Sequence, residues 1–427
     1  YEGSNQMGRT TKARWMPTWN LSGAWNVHEE SFFPKLKPLS SLTFRVSYSL
    51  TGTPPDAAYC NALTKLSMNT PYRPTTTDKE LGFVVAALGN NELTYEKKHE
   101  FNFGVDAGFF NNRLNVTFDV YQRRNFDEIA PTVTQLYGTV YANVGSMKSW
   151  GEELSISSTN VKTQDFSWQT SLIYSHNRTE ITDLYNQGRV IDLVQGNGFA
   201  KQGYPARALF SIPFVGINEK GYPVCINEKG QTTVGNLNFQ ERDNTDYLIY
   251  EGSTDPVYNG SLGNTFNYKG FHLNVFLTYA FGNVVRLDPV FSAKYNDLTS
   301  MTHNFKNRWM QPGDENVTNV PGVVSRYEYE QNSTLLATAY NAYNYTSVRT
   351  AKGDFIRLKE ISLAYDFPHR WFEHSPVNNI SLKLQATNLM LLYADKKLNG
   401  QDPEFMNAGG VASPMPKQFT LTLKLGL

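Results

Sequence analysis

The side chains most suited to chemistry in this chain of 427 residues are its seven histidines, which could act as metal ligands or general bases. They are scattered, and only His369 and His374 lie close together in sequence. Such positions between strands often carry His, Arg and Trp as membrane-interface residues, and two histidines make an incomplete ligand set. We therefore predict no metal site.

Catalytic motifs are also missing from the sequence. It contains no GxSxG nucleophile elbow, no HExxH zinc motif and no glycine-rich loop that could hold a phosphate. No nucleophile and base pair is evident either. The chain is therefore not expected to be an enzyme or to need a cofactor.

Five ionisable side chains fall on the polar faces of predicted strands: Asp106, Asp119, Glu153, His272 and Lys383. Charge is tolerated inside a water-filled barrel and is costly on a face that meets lipid. We predict that these residues line a lumen and contact a plug. A direct role in translocation is the alternative.

Aromatic side chains in the long connections are the best candidates for ligand contact. They stand beside Asp, Asn and Glu residues, a combination that suits sugar stacking or peptide side chains. Because Tyr and Trp also dominate protein interfaces, they could instead hold a partner protein. The candidates are Tyr247, Tyr250, Trp309, Tyr327, Tyr329, Tyr343 and Tyr345.

These residues would be positioned by strands with strict apolar alternation. In Phe101–Phe109 and Leu114–Val120, every second side chain is apolar, and the turn at Asn111–Asn112 joins the two runs. Phe271–Phe281 presents six apolar side chains on one face. Strands of about nine to eleven residues with an outward apolar band are what a tilted bilayer crossing requires.

We expect about eleven such strands, connected alternately by short turns and long loops. The turns near Asn112 and Gly270 are short, whereas Thr51–Leu93, Phe126–Val144, Leu184–Pro256 and Leu287–Lys352 are predicted to be long loops. Short turns at one rim and long extracellular loops at the other are typical of outer-membrane barrels. A soluble protein with several sheets is the alternative, but it would not need this regular alternation.

The composition agrees with a strand-built membrane protein. Aromatic residues make up 14% of the chain and charged residues 18%, against roughly 25% charged in soluble proteins. No run approaches the ~18 apolar residues of a membrane-spanning helix. The formal net charge is zero, which gives no electrostatic reason to expect binding to nucleic acid.

Eight segments, in order along the chain, carry a family resemblance. They include YEGSNQMG at Tyr1–Gly8, VSYSLTG at Val46–Gly52, YEKKHEFNFGVDAGFFNNRLNVTFDVY at Tyr95–Tyr121, NVGSMKSWGEE at Asn143–Glu153, RWMQPGDENVTNVP at Arg308–Pro321, DFIRLKEISLAYDFP at Asp354–Pro368, ATNLMLLYADKKLNGQDPE at Ala386–Glu404 and PMPKQFTLTLKLGL at Pro414–Leu427. Together they resemble the C-terminal half of a SusC-like (SusC/RagA) TonB-dependent transporter of the Bacteroidetes outer membrane.

The resemblance implies an all-β fold: a transmembrane antiparallel β-barrel of about 22 strands, filled by a plug. Residues 1–427 would form the C-terminal part, with about eleven strands, while the plug and N-terminal strands are expected to lie outside this chain. Its partners would be the remaining half of the transporter, outer-membrane lipid, the TonB complex acting through the N-terminal region, and a SusD-like surface lipoprotein.

The expected function is TonB-dependent active import of glycans or oligopeptides across the cell outer membrane. A passive porin is the second hypothesis; it would need neither plug nor lipoprotein lid. An outer-membrane enzyme is the third, and the missing nucleophile argues against it. The sequence leaves open whether the cargo is a glycan or a peptide.

Overall fold

The computed structural model describes residues 2–3, 14–33, 38–55, 64–69, 82–134, 138–289, 302–373, 376–406 and 415–426. Its main element is one antiparallel sheet of 11 strands in which each strand pairs with its neighbours in chain order. The strands are β1 (Trp19–Asn26), β2 (Leu39–Thr53), β3 (Glu96–Phe109), β4 (Leu114–Thr134), β5 (Gly138–Lys162), β6 (Phe166–Leu184), β7 (Tyr258–Tyr268), β8 (Phe271–Phe281), β9 (Phe355–Asp366), β10 (Asn379–Ala394) and β11 (Gln418–Gly426). The predicted number of strands is confirmed.

Side-chain alternation gives the sheet one apolar and one polar face. Residues paired across strands share a face, and the register aligns Leu273 of β8 with Leu363 of β9 and Phe266 of β7. The apolar face is open to its surroundings: Leu421 and Leu423 on β11 are 68% and 59% exposed. An uncovered apolar surface of this kind marks a lipid or protein interface.

Strands β4 and β5 are much longer than predicted, and the predicted long loop Phe126–Val144 is wrong. Pairing continues from Glu128 against Gly145 to Thr134 against Gly138. Register shifts occur at Phe126/Glu128 and Glu128/Ile129, and Asp127 has a positive φ of 58°. Such bulges add residues that break the two-residue alternation, so the pattern fades where the strand continues.

Shorter elements lie outside the main sheet. Further strands are Glu2–Gly3, Trp15–Met16, Lys65–Asn69, Gly82–Ala87, Ala208–Ser211, Phe214–Ile217, Pro223–Ile226, Thr232–Thr233, Ile249–Ser253, Val284–Arg286 and Thr350–Lys352. The α-helices are α1 (Val190–Val194), α2 (Arg326–Gln331) and α3 (Ser333–Asn344). The 3-10 turns are Val27–Glu29, His303–Asn307, Asp314–Asn316, Ser347–Arg349, His369–Trp371, Lys396–Leu398 and Pro403–Phe405. In the part of the chain described, no helix is long and apolar enough to span a membrane.

Two long connections fold together into one unit, which we call the loop body: the described parts of residues 185–257 and 282–354. Its core packs Leu193 of α1 and Phe210 of the first connection with Ala342 of α3 from the second. A buried guanidinium also links them. Arg286 donates to the carbonyl oxygens of Thr346 (2.8 Å) and Phe210 (2.6 Å), and burial lowers its pKa to about 10.

An arginine at the centre of the apolar face should destabilise the protein. Val275→Arg in the native protein places charge among the side chains predicted to meet lipid, and we expect a loss of about 2–4 kcal/mol of unfolding free energy. The matched control is Asn274→Arg on the polar face, beside Glu360. Urea unfolding in lipid vesicles measures both variants, and equal losses would contradict the assignment of the two faces.

Candidate functional site

The polar face of the sheet carries an ion network that joins three strands. Arg45 of β2 donates through Nε to Asp106 of β3 at 2.6 Å and through Nη2 to Asp119 of β4 at 3.0 Å. The side chains are partly exposed, so solvent screens the pairs and each contributes little alone. Together they cross-link β2, β3 and β4 on the face opposite the apolar one.

A glycine lets this network cross the middle strand. Gly104 of β3 pairs with Arg45 on one side and Asp119 on the other. A Cβ at position 104 would lie 2.7 Å from Arg45 Nη2 and would also collide with the Asp119 carboxylate. The absence of a side chain at this position therefore opens the path along which the guanidinium reaches the far strand.

The five ionisable residues predicted to line a lumen all lie on this polar face but form two separate groups. Glu153 of β5 pairs directly with Asp119, which continues the acidic row. Across β6 and β7, His272 of β8 lies 2.8 Å from the carboxylate of Asp366, and it shares a cross-strand row with Lys383 of β10. The sheet does not bring the two groups together into one site, and their contact with a plug stays a prediction.

Three of the predicted ligand-binding tyrosines pack against the core of the loop body. Tyr343 is 2% exposed, packs edge-on against Phe214, and has its pKa raised to about 12 by burial. Tyr247 and Tyr345 are partly buried against the core around Leu193 and Phe210, and burial raises the pKa of Tyr247. At least Tyr343 is thus a structural residue, because a ligand could reach it only after the core opened.

The other four aromatic candidates are more accessible. Tyr327 is 73% exposed, and the ring of Tyr250 lies 4.9 Å from that of Tyr204. Tyr329 packs partly against the core near α3. Trp309 donates through Nε1 to Glu315 Oε2 at 3.0 Å, and this hydrogen bond lowers the pKa of Glu315. They are spread over the loop body and form no single aromatic platform.

A cleft of about 770 Å³ opens beside Arg308, and Trp309 is not among its lining residues. Amides, three cations and one carboxylate line it, together with small apolar side chains. The lining residues are Leu287, Asn304, Asn307, Arg308, Asp314, Val317, Thr318, Asn319, Val320, Val348, Lys396, Lys397 and Asn399. Its size is that of a pocket for a drug-sized molecule or for a few residues of a polymer.

The polar groups of the cleft differ in their availability. Asp314 accepts hydrogen bonds from the backbone amides of Met310 and Gln311, so its carboxylate holds a turn. Lys397 donates to the Thr350 carbonyl at 3.3 Å. Asn399 donates through Nδ2 to Asn304 at 3.5 Å and to the Lys397 carbonyl at 3.3 Å, whereas Asn319 is exposed and its amide can pair with hydroxyl or peptide groups.

One wall of the cleft is fixed to the sheet by a buried ion pair. Arg357 of β9 donates to both carboxylate oxygens of Asp402, at 2.6 and 2.7 Å, and it also contacts Glu404 at 3.2 Å. The Arg357 and Asp402 side chains are 3% and 0% exposed. The pair anchors the turn after β10, which contributes Lys396, Lys397 and Asn399 to the cleft.

Sequence reasoning missed Arg45, the Arg357–Asp402 pair and most of the cleft. The Arg357 and Asp402 positions both lie inside segments that carry the family resemblance, so a signal existed for them. Among the described residues no group of three potential metal ligands occurs. His369 lies in a short 3-10 turn, and His374 is outside the described residues.

Gly104→Ala should weaken the polar network. The added methyl group would push Arg45 away from Asp119, and we expect a loss of about 1–3 kcal/mol of unfolding free energy, typical of overpacking. Gly23→Ala on β1 is the control, since a Cβ there meets nothing within 4 Å. Urea midpoints of both variants decide the point; an equal effect would mean that Gly104 serves only as strand backbone.

Asp402→Asn should release the turn after β10. It leaves the Arg357 guanidinium buried without its main carboxylate, a change that costs about 3–5 kcal/mol. The exposed pair Arg326–Glu330 provides the control, because Glu330→Gln should cost at most about 1 kcal/mol. Limited proteolysis within residues 395–406 is the readout, and unchanged cleavage in the Asp402 variant would disprove the anchoring role.

Comparison with known proteins places the chain in a family. The protein-family model described as "TonB dependent receptor-like, beta-barrel" matches residues 1–389. TonB-dependent receptor P3 of Formosa agariphila is 24% identical over 94% of this chain and 39% of its own length. TonB-dependent receptor SusC of Bacteroides thetaiotaomicron is 26% identical over 100% of this chain and 41% of its own.

The fold is similar to that of a solved transporter. The RagAB peptide transporter superposes with a TM-score of 0.76 at 23% identity, over 97% of this chain and 44% of that one. The chain spans about two-fifths of the length of the curated relatives it matches. With the family model matching residues 1–389 of 427, the chain belongs to the TonB-dependent receptor-like β-barrel family of the outer membrane, and it is similar to the family members SusC and RagA.

Proposed function

We propose that this chain is the C-terminal part of a TonB-dependent active importer that takes glycans or oligopeptides across the outer membrane. The observation that carries the proposal is an 11-stranded sheet with an open apolar face, joined to a loop body that has its own core and a polar cleft. The apolar face suits lipid, and the loop body suits capture of cargo at one rim.

Backbone hydrogen bonding supports further strands as partners. The outer edges of β1 and β11 are unpaired in the described sheet. Each unpaired N–H or C=O group in lipid costs several kcal/mol. We propose that the remaining strands of the same transporter pair with both edges and close the barrel. In this proposal the plug and the TonB contact also belong to that region.

The size and fold of the loop body are an argument for a lipoprotein lid. Connections that merely close hairpins need only a few residues, whereas these two fold around a shared core and present exposed side chains such as Tyr327. We propose that a SusD-like lipoprotein covers this surface and closes over the cargo. The accessible aromatic residues Tyr250, Trp309, Tyr327 and Tyr329 are proposed to contact the cargo or the lid.

The chemistry of the cleft supports polymeric, hydrogen-bonding cargo. Its amides can donate to and accept from sugar hydroxyls or peptide groups alike. Small apolar side chains such as Val317 and Val320 add contacts for sugar faces or peptide side chains. Both cargo classes therefore remain within the proposal.

Orientation can be tested by labelling single cysteines on intact cells, in a background with Cys60 and Cys225 replaced by alanine. Asn244→Cys, in the loop body, should react with a membrane-impermeant maleimide. Asn112→Cys, in the short β3–β4 turn, should react only after the cells are lysed. Labelling of position 112 and protection of 244 on intact cells would reverse the proposed orientation.

A bulky side chain in the cleft should block uptake. Asn319 lines the cleft and Asn316 does not, although both are exposed and lie only three residues apart. Asn319→Trp should lower the initial uptake of fluorescent oligopeptides or oligosaccharides by about tenfold, equivalent to about 1.4 kcal/mol of binding. Asn316→Trp should leave uptake unchanged. Equal uptake in the two variants would remove the cleft from the cargo path.

A further inference from the structure

The apolar face of the sheet carries a group of cations near the loop body, where a face in contact with lipid tails would carry none. Lys148 of β5 lies between two neighbours in one cross-strand row, Arg124 of β4 and Glu180 of β6. In the next row, Trp150 of β5 pairs with Arg178 of β6. We call Arg124, Lys148, Trp150 and Arg178 the basic wall patch.

Register places the patch on the outward wall. Arg124 has the same parity as Phe118 and Val120 on β4, whose paired neighbours on β5 are Leu154 and Glu152. No bulge separates these positions from Arg124, since the first register shift on β4 lies after Phe126. The patch therefore continues the apolar face and lies at the end away from the short turns.

Most of the positive charge in the patch is not neutralised. Lys148 forms an ion pair with Glu180 at 3.0 Å. The nearby carboxylate of Glu152 faces His176, 3.8 Å away. Arg124 and Arg178 are exposed and form no ion pair within the described residues. Glu180 is thus engaged by Lys148, Glu152 lies one cross-strand row further along the wall, and the guanidinium groups of Arg124 and Arg178 remain free of ion pairs within the described residues.

The tryptophan at the centre gives the patch the character of a membrane interface. Lys148 Nζ lies 5.8 Å and the Arg178 guanidinium 5.6 Å from the Trp150 ring centroid. Trp is enriched where the apolar region of a bilayer meets the headgroups. Charged side chains on the lipid face are costly at the midplane and nearly neutral at this depth.

We propose that the basic wall patch binds the phosphate groups of an outer-leaflet lipid headgroup. Guanidinium groups bind phosphate through two parallel hydrogen bonds, and Lys148 adds a point charge between them. Two strand spacings put β4 and β6 about 10 Å apart, a span that one phosphorylated sugar headgroup can cover. The acyl chains would lie on Phe118 and Leu154 below.

A lipid is favoured over a soluble protein because the patch is continuous with the apolar wall. A protein partner would have to displace lipid tails to reach Trp150, whereas a headgroup reaches it with its own tails in place. The lipid source rests on membership of the outer-membrane family and on the proposed orientation. It does not depend on which cargo is imported.

The test uses the purified native protein in phosphatidylcholine vesicles containing either lipid A or fully dephosphorylated lipid A. We expect lipid A to bind at least tenfold more tightly than the dephosphorylated form. Arg124→Gln/Arg178→Gln should reduce binding of lipid A at least tenfold. The control, Lys220→Gln/Lys229→Gln, removes two exposed cations from the loop body and should leave binding unchanged.

Three results would overturn the proposal. The first is equal binding of the two lipids, and the second is unchanged binding by the double arginine variant. The third is competition by inorganic phosphate at the concentration of lipid A, which would indicate a site for free anions. Unaltered heat-modifiable migration of each variant in gels confirms that the barrel is folded. Measuring cargo uptake by the same variants then shows whether lipid binding is lost while import is retained.

Discussion

The structure depends on one constraint: within lipid, each backbone N–H and C=O group needs a partner inside the protein. The 11-strand meander meets it by pairing every strand with its sequence neighbour. The constraint also explains why the loop body differs from the sheet. Irregular backbone and helices occur in the loop body, where water or packed side chains can satisfy polar groups. The strands of the sheet, in contrast, stay hydrogen-bonded to each other on both sides of each bulge.

The two faces of the sheet follow from the same arrangement. Alternation sends apolar side chains outward and leaves the opposite face to polar groups such as Arg45, Asp106 and Asp119, which meet across Gly104. At the rim, two buried arginines link separate segments. Arg286 joins the two long connections and Arg357 holds the turn after β10, so the cleft is built on anchored segments.

The sequence predicted the sheet best where alternation is uninterrupted. The bounds of β8 agree with the predicted run Phe271–Phe281 because its eleven residues keep one register with β7, without a bulge between the two strands. On β4 and β5, bulges near Asp127 shift the alternation, and a paired region was mistaken for a loop. Alternation in the sequence shows which side chains share a face of the sheet. The prediction of a strand therefore fails where a bulge shifts the alternation to the other face.

The candidate site was less predictable because it is assembled from distant segments. Asn304, Asn319 and Asn399 come from separate segments that only tertiary folding brings together. Tyr343 illustrates the converse error. Its place in a long connection rich in polar residues suggested a surface position, yet α3 directs its side chain into the core of the loop body. Neither outcome follows from spacing, since both depend on which connections fold together.

Hydrogen–deuterium exchange of the native protein in lipid nanodiscs tests the central claim, that this chain is one arc of a closed barrel. The amides of β1 and β11 that point away from β2 and β10 have no partner within the described sheet. If further strands close the barrel, these amides will exchange as slowly as those of β4 and β5. Exchange at the rate of an unstructured peptide along both edges, with β4 and β5 protected, would contradict the claim.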